Sequence, residues 1–216
     1  MTGRTRKNYA VAGCYVIVAL FIAYIVVQYL VFGPKQAGIV SGKLSIPGFP
    51  YSTWQVFFFV HIATGSIALL TGPFQFLRSS RKVISVHRIM GRIYGISIFV
   101  SVPAGIYLAL YATGGLASSI GFIVLDVAWF MTAFVGLKRI REKKVTSHQE
   151  WMLRSYAVTL VFVTFRVFLP LLTLAGLPIS LSFPLSIYFS MAVNLGWAEW
   201  HLRRKKSRSI QPNISA

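Results

Sequence analysis

Six long apolar runs, with Lys and Arg gathered on every second connection between them, limit what this chain can fold into. The runs cover residues 9–32, 53–77, 86–112, 119–137, 148–175 and 184–202. A helix that crosses a hydrocarbon core takes about 20 apolar residues, and each run supplies enough. Backbone amides in lipid find no water, so each run has to satisfy its own hydrogen bonds as a helix. The fold class that follows is all-α: a polytopic membrane protein built as a six-transmembrane-helix bundle. Little chain is left between the runs, so the expectation is a single integral membrane domain over 1–216. The composition agrees, since a soluble chain of 216 residues could not hide a 56% hydrophobic fraction behind 12% charged residues.

The charge pattern orients the bundle. Arg4, Arg6 and Lys7 precede the first run; Arg78, Arg81 and Lys82 follow the second, with Arg88 and Arg92 opening the third. Lys138, Arg139, Arg141, Lys143 and Lys144 follow the fourth, and Arg203, Arg204, Lys205, Lys206 and Arg208 follow the sixth. The connections 113–118 and 177–183 hold no Lys or Arg, and the first holds only Lys35 and Lys43. Basic loops stay on the cytoplasmic side, so both termini are expected there, in the cell membrane. This reading absorbs the net charge of +18, which in a soluble domain would suggest nucleic acid; no nucleic-acid partner is expected here. Residues 203–216 read as a basic cytoplasmic tail that anchors the topology, with anionic lipid headgroups as its natural contacts. Trp54, Trp197 and Trp200 fall near run ends, as interfacial aromatics do.

Cys14 is the single cysteine, which excludes disulfides and Cys-ligated metal centres within one chain. Val11-Ala12-Gly13-Cys14 resembles a lipoprotein cleavage box, but the apolar run follows the cysteine instead of preceding it. The first run therefore reads as an uncleaved anchor. The first connection, 33–52, is punctuated by Gly33-Pro34, Gly42, Pro47-Gly48 and Pro50, and reads as a loop. No internal repeat suggests inverted halves.

Ionisable residues inside a spanning helix mark pairing or functional sites. His61, Asp126 and Arg166 qualify, each roughly 10–14 Å below the outer surface at 1.5 Å per residue. One reading is an Asp126–Arg166 ion pair with His61 hydrogen-bonded beside it; the other is a proton relay or ligand pocket. A second group lies at the inner face, where His87 opens the third helix and His148 the fifth. Ser147 and Glu150 have capping-box spacing, which puts His148 in a first helical turn. The helix dipole there favours a neutral ring able to act as a ligand. Positions 148, 155, 159 and 166 lie on nearly one line, so His148, Ser155, Thr159 and Arg166 draw a polar stripe through an apolar helix. Gly65, Ala68 and Gly72 share the face of His61, and Gly91 and Gly95 that of His87. Small residues of this kind admit a flat macrocycle or close helix packing.

A membrane b-type haem needs a neutral imidazole, an opposing ligand at the same depth, room between helices and cations for its propionates. His87 and His148 meet the depth condition as iron ligands, with Arg88, Arg92 and Arg154 nearby in sequence. His61 has no histidine partner at its level, where Met191 is the one thioether candidate. Hydrolytic chemistries are excluded more firmly. The chain has no G-x-S-x-G elbow, no H-E-x-x-H and only the carboxylates Asp126, Glu142, Glu150 and Glu199.

Three motifs carry a resemblance: His61-Ile-Ala-Thr-Gly65-Ser-Ile-Ala-Leu-Leu-Thr-Gly72-Pro-Phe-Gln-Phe76, His87-Arg-x-x-Gly91-Arg-x-Tyr94, and His148-x-x-Trp151-Met-x-Arg154-Ser-Tyr156-Ala. With them the chain resembles a family of bacterial multi-pass membrane proteins over about residues 55–175. The resemblance implies a four-helix core over 53–175 and singles out His61, Gly72, Pro73, His87, Arg88, Gly91, Arg92, His148, Met152, Arg154 and Arg166. It implies a site without an established reaction. More distantly, the helix count and histidine placement are similar to the transmembrane di-haem cytochromes and ferric reductases, from which this chain departs by lacking a second outer histidine. The expectation is a haem b redox protein ligated by His87 and His148, with His61, Asp126 and Arg166 serving a quinone or a proton, and a membrane redox protein as partner. The alternatives are a non-enzymatic lipid- or small-molecule-binding or accessory subunit, and a proton-coupled transporter.

Overall fold

The computed structural model describes residues 3–77, 80 and 82–210. Arg78 and Arg81 of the second connection, and residues 211–216 of the basic tail, lie outside the described residues. What is described is helical nearly throughout, with no strand among the described residues. Six segments are long and apolar enough to cross a membrane: Val11–Val31, Tyr51–Phe76, Ile84–Ala109, Gly115–Arg141, Val145–Leu174 and Ile179–Ser207. They overlap the six runs read from sequence, with the fourth and sixth each longer by about a turn at both ends. The chain divides into two compact units, Met1–Thr113 and Gly114–Ala216, each holding three of these segments.

In the first unit, α1 (Gly3–Val26) passes into a π-helical turn, Val27–Val31. The turn buries Tyr29, whose ring stands edge-on to Phe58 at 4.9 Å. Gly33, at φ 84°, then reverses the chain. The connection expected to be a plain loop instead holds a short 3-10 turn, Pro34–Gln36, and a helix α2 (Gly38–Leu44). Ala37, Val40 and Lys43 recur at every third position and are buried, while Ser41 and Gly42 are exposed. Glycine and proline dominate the composition here, but that spacing is enough to seat one face of a helix.

Helices α3 (Tyr51–Phe76) and α4 (Ile84–Ala109) pack along each other, and α1 packs on α3. Gly65, Ala68 and Gly72 of α3 and Gly95, Ser97, Ser101, Ala104 and Gly105 of α4 are buried. Small side chains let helices approach closely where no hydrophobic force between them is available.

The second unit opens at Gly114, whose φ of 88° and lack of Cβ are both needed, because a Cβ there would lie 2.6 Å from Ser118 Oγ. Helix α5 (Gly115–Arg141) is followed by α6 (Val145–Thr159), α7 (Val161–Leu174) and α8 (Ile179–Ile210). The fifth apolar run, expected to be one helix, is thus broken at Leu160. The run Val158-Thr159-Leu160-Val161-Phe162-Val163-Thr164 is rich in β-branched residues, and two hydroxyls turn back on the backbone: Thr159 Oγ1 donates to Ser155 O at 2.9 Å and Thr164 Oγ1 to Leu160 O at 3.2 Å. Both habits loosen a helix. Val163 N–H bonds Leu160 O at 3.0 Å, and Ala157 O receives the amide of Asn194 from α8 at 3.1 Å. A carbonyl released inside a membrane needs such a partner. Helix α8 runs past its apolar stretch, so the start of the basic tail, through Ser207, is exposed helix.

Candidate functional site

His61 projects from the middle of α3 toward α4. Its Nδ1 lies 3.1 Å from both the backbone oxygen and the Oγ of Ser101, and Ser101 Oγ donates to His61 O at 3.2 Å. A carbonyl can only accept, so Nδ1 carries a proton in this bond. Small size at Ser101, fully buried, is what lets the two backbones share these bonds. His87 stands in the first turn of the same α4, fourteen positions from Ser101, or about 21 Å of helix. Within this unit the two histidines therefore occupy separate levels, as their spacing from the run ends implied. Gln75 of α3 donates to His87 O at 3.4 Å beside Gly91, while Arg88 and Arg92 are exposed.

His148 has a similar arrangement in the second unit. Helix α6 starts after Lys144 with no side-chain cap, so the capping box expected of Ser147 and Glu150 does not form. The helix begins three residues earlier, because Lys143 at φ 60° already turns the chain, and His148 stays in the first turn with its N–H on Lys144 O at 2.9 Å. Its Nδ1 donates to Gly136 O of α5 at 2.8 Å. Nε2 has no partner among the described residues. Gly136 permits this approach: a Cβ on it would lie 2.8 Å from Met152 Sδ. Sequence reading singled out Met152 but not Gly136, which lacks any motif of its own. Arg154 donates through Nε and Nη2 to Glu199 of α8 at 2.5 and 3.1 Å, with its guanidinium 4.9 Å from the centre of the Trp151 ring. Beyond the membrane segments, Lys144 and Arg139 hold the Glu142 carboxyl below its ordinary pKa through hydrogen bonds at 3.0 and 2.9 Å.

Asp126 and Arg166 belong to the same unit but do not form the expected ion pair. Asp126 is 4% exposed and makes no hydrogen bond or ion pair among the described residues. Its neighbours along α5 explain the surroundings: Phe122 meets Phe165 at 5.9 Å and Trp129 meets Phe162 at 5.1 Å, so the carboxyl sits between two aromatic contacts. Arg166 is half-buried with its guanidinium 5.9 Å from the Phe165 ring. Depth alone placed these two residues together in the sequence reading; no ion pair joins them among the described residues. The polar stripe of the fifth run is real up to the break, since Ser155 and Thr159 are fully buried, and Thr159 Oγ1 accepts Trp129 Nε1 at 2.8 Å.

Lys43 is the ionisable residue that sequence reading left in a loop. It is 6% exposed, donates to the backbone oxygen of Tyr111 and to Thr113 Oγ1 at 3.3 Å, and stands 6.0 Å from the centre of the Trp54 ring. Burial lowers its pKa from the ordinary 10.5 to about 8.

Fold and site together define an all-α, multi-pass membrane protein with imidazoles fixed on backbone carbonyls. The chain belongs to the family described as predicted membrane protein (DUF2306), which matches residues 58–202. That range takes in all three motifs, from just before His61 to just past His201. No curated protein and no solved structure matches the chain.

Proposed function

We propose that this protein is a haem b-binding membrane electron-transfer protein in which His148 would hold the haem iron. The observation that supports it is the Nδ1–H bond of His148 to Gly136 O at 2.8 Å. Iron-ligating histidines donate their second ring N–H to a carbonyl or carboxylate, which fixes the tautomer and the ring plane and leaves Nε2 to the metal. His148 meets that requirement, from a glycine whose missing side chain lets α5 and α6 close. The sequence names His87 as a further candidate iron ligand, with the exposed Arg88 and Arg92 as candidate partners for the propionates. Arg154 gives two of its N–H groups to Glu199, so its part is to steady α6 against α8. Haem, when bound, supplies reversible one-electron chemistry. The chain's own contribution is to hold the imidazole in one orientation through its Nδ1–H bond to Gly136 O. Both termini and the basic ends of the helices face the cytoplasm of a cell membrane in this reading, and a quinone or a membrane redox protein exchanges the electron.

The test is an absorption spectrum of protein purified after expression with haem supplied. A Soret band that is lost in His148→Ala and His87→Ala is expected. A colourless wild-type protein sinks the reading.

A second reading has its own observation. His61 and Ser101 tie the middles of α3 and α4 by reciprocal bonds, which is what a structural histidine does in a non-catalytic bundle or accessory subunit. In that case His61→Ala lowers the melting temperature and changes no spectrum.

A further inference from the structure

The end of the first unit that carries α2 holds two buried donors without their usual partners. The Lys43 ammonium rests on a backbone carbonyl and a hydroxyl, not on a carboxylate. It has none in reach of its own unit: all 4 acidic residues, Asp126, Glu142, Glu150 and Glu199, come after Thr113. Beside it, Trp54 is 3% exposed and its Nε1 has no acceptor among the described residues. A buried cation without an anion and a buried N–H without an acceptor are both unfavourable, and proteins normally resolve such pairs. One oxygen acceptor placed beside Lys43 and Trp54 would satisfy both.

The surroundings indicate what carries that oxygen. Trp54 stacks on Phe58 at 4.7 Å and 19°, and Phe49 lies 5.6 Å from Trp54 and 5.5 Å from Tyr111. Tyr107 packs on the same cluster. Flat aromatic faces with donors at one edge suit a planar ring bearing a carbonyl. The short α2 brings Lys43 over this cluster from the first connection, so the helix acts as its cover.

We propose that this end of the first unit binds a planar, carbonyl-bearing ring of the quinone class, with Lys43 and Trp54 donating to its oxygen. The choice of a quinone rests on the redox reading above; the Lys43 ammonium without an anion and the Trp54 N–H without an acceptor do not. The other ionisable groups packed on the cluster are the phenols of Tyr29, Tyr51, Tyr107 and Tyr111, with Lys35 over the Tyr51 ring at 5.3 Å.

The experiment titrates decylubiquinone, and separately benzoate, into haem-free protein in nanodiscs at pH 7. Saturable decylubiquinone binding is expected, weakened about tenfold or more by Trp54→Phe, which keeps the ring and removes the N–H, and by Lys43→Met. Absence of binding, equal binding by wild type and both variants, or preference for benzoate overturns the proposal. A protein that shows no Soret band yet binds the quinone in this way loses the haem reading and retains the site.

Discussion

Single atoms decide most of what this chain can do. Gly136 is the clearest case, because one absent Cβ lets α5 and α6 approach until His148 reaches a carbonyl. Gly136→Ala should therefore destabilise the second unit by about 1–3 kcal/mol, the usual cost of overpacking. Adding Met152→Ala should recover part of the loss, since Met152 Sδ is the atom displaced. A double-mutant cycle on thermal unfolding in detergent checks this, and strict additivity would disprove the contact. Lys43 gives a pH dependence with a definite sign. Its pKa is about 8 when α2 is docked and 10.5 when the side chain is free in water. Between those values the undocked state holds the proton that the docked state has lost, so docking strengthens as pH rises from about 8 to about 10.5. Below that window the buried ammonium weakens docking in full. Amide hydrogen exchange of residues 38–44, corrected for intrinsic rates, should slow across the window, and Lys43→Met should flatten the profile.

Among the elements, the broken fifth run carries the most consequence. A helix interruption inside a membrane leaves carbonyls that only a neighbouring helix can satisfy. Asn194 does this from α8, donating to Ala157 O and to Thr164 Oγ1, each at 3.1 Å. Asn194→Ala should cost about 1 kcal/mol, in keeping with side-chain hydrogen bonds between membrane helices. Asn194→Asp, which cannot donate from that position when ionised, should cost more. Unfolding titrations with a denaturing detergent measure both. Neither the break nor its partner was legible beforehand. The seven residues around Leu160 contain no glycine or proline, and the contact to Asn194 spans thirty-seven positions. Helix α2 escaped notice for the opposite reason: glycine and proline were present, and they concealed a single buried face made by Ala37, Val40 and Lys43.

For the whole molecule, six spanning segments require both termini to emerge on one side of the bilayer. In the reading proposed above, the alternation of basic connections puts that side in the cytoplasm. Reporter fusions at each terminus and after Thr113 should place the first two together and the third opposite. Termini on opposite sides would remove one of the six spans.

The number and order of the membrane-spanning segments were determined by the amino-acid sequence alone. Lipid obliges each segment to bond its own backbone, so membrane crossing is a local property that twenty consecutive residues declare. Side-chain partnership is different. Arg154 meets Glu199 across forty-five positions, Lys43 meets Tyr111 across sixty-eight, and His61 meets Ser101 across forty. Asp126 and Arg166, matched in depth, do not pair. Which residues meet depends on how each helix is rotated about its axis, and the rotation is settled by glycines and serines that allow close packing, visible only once the helices are assembled.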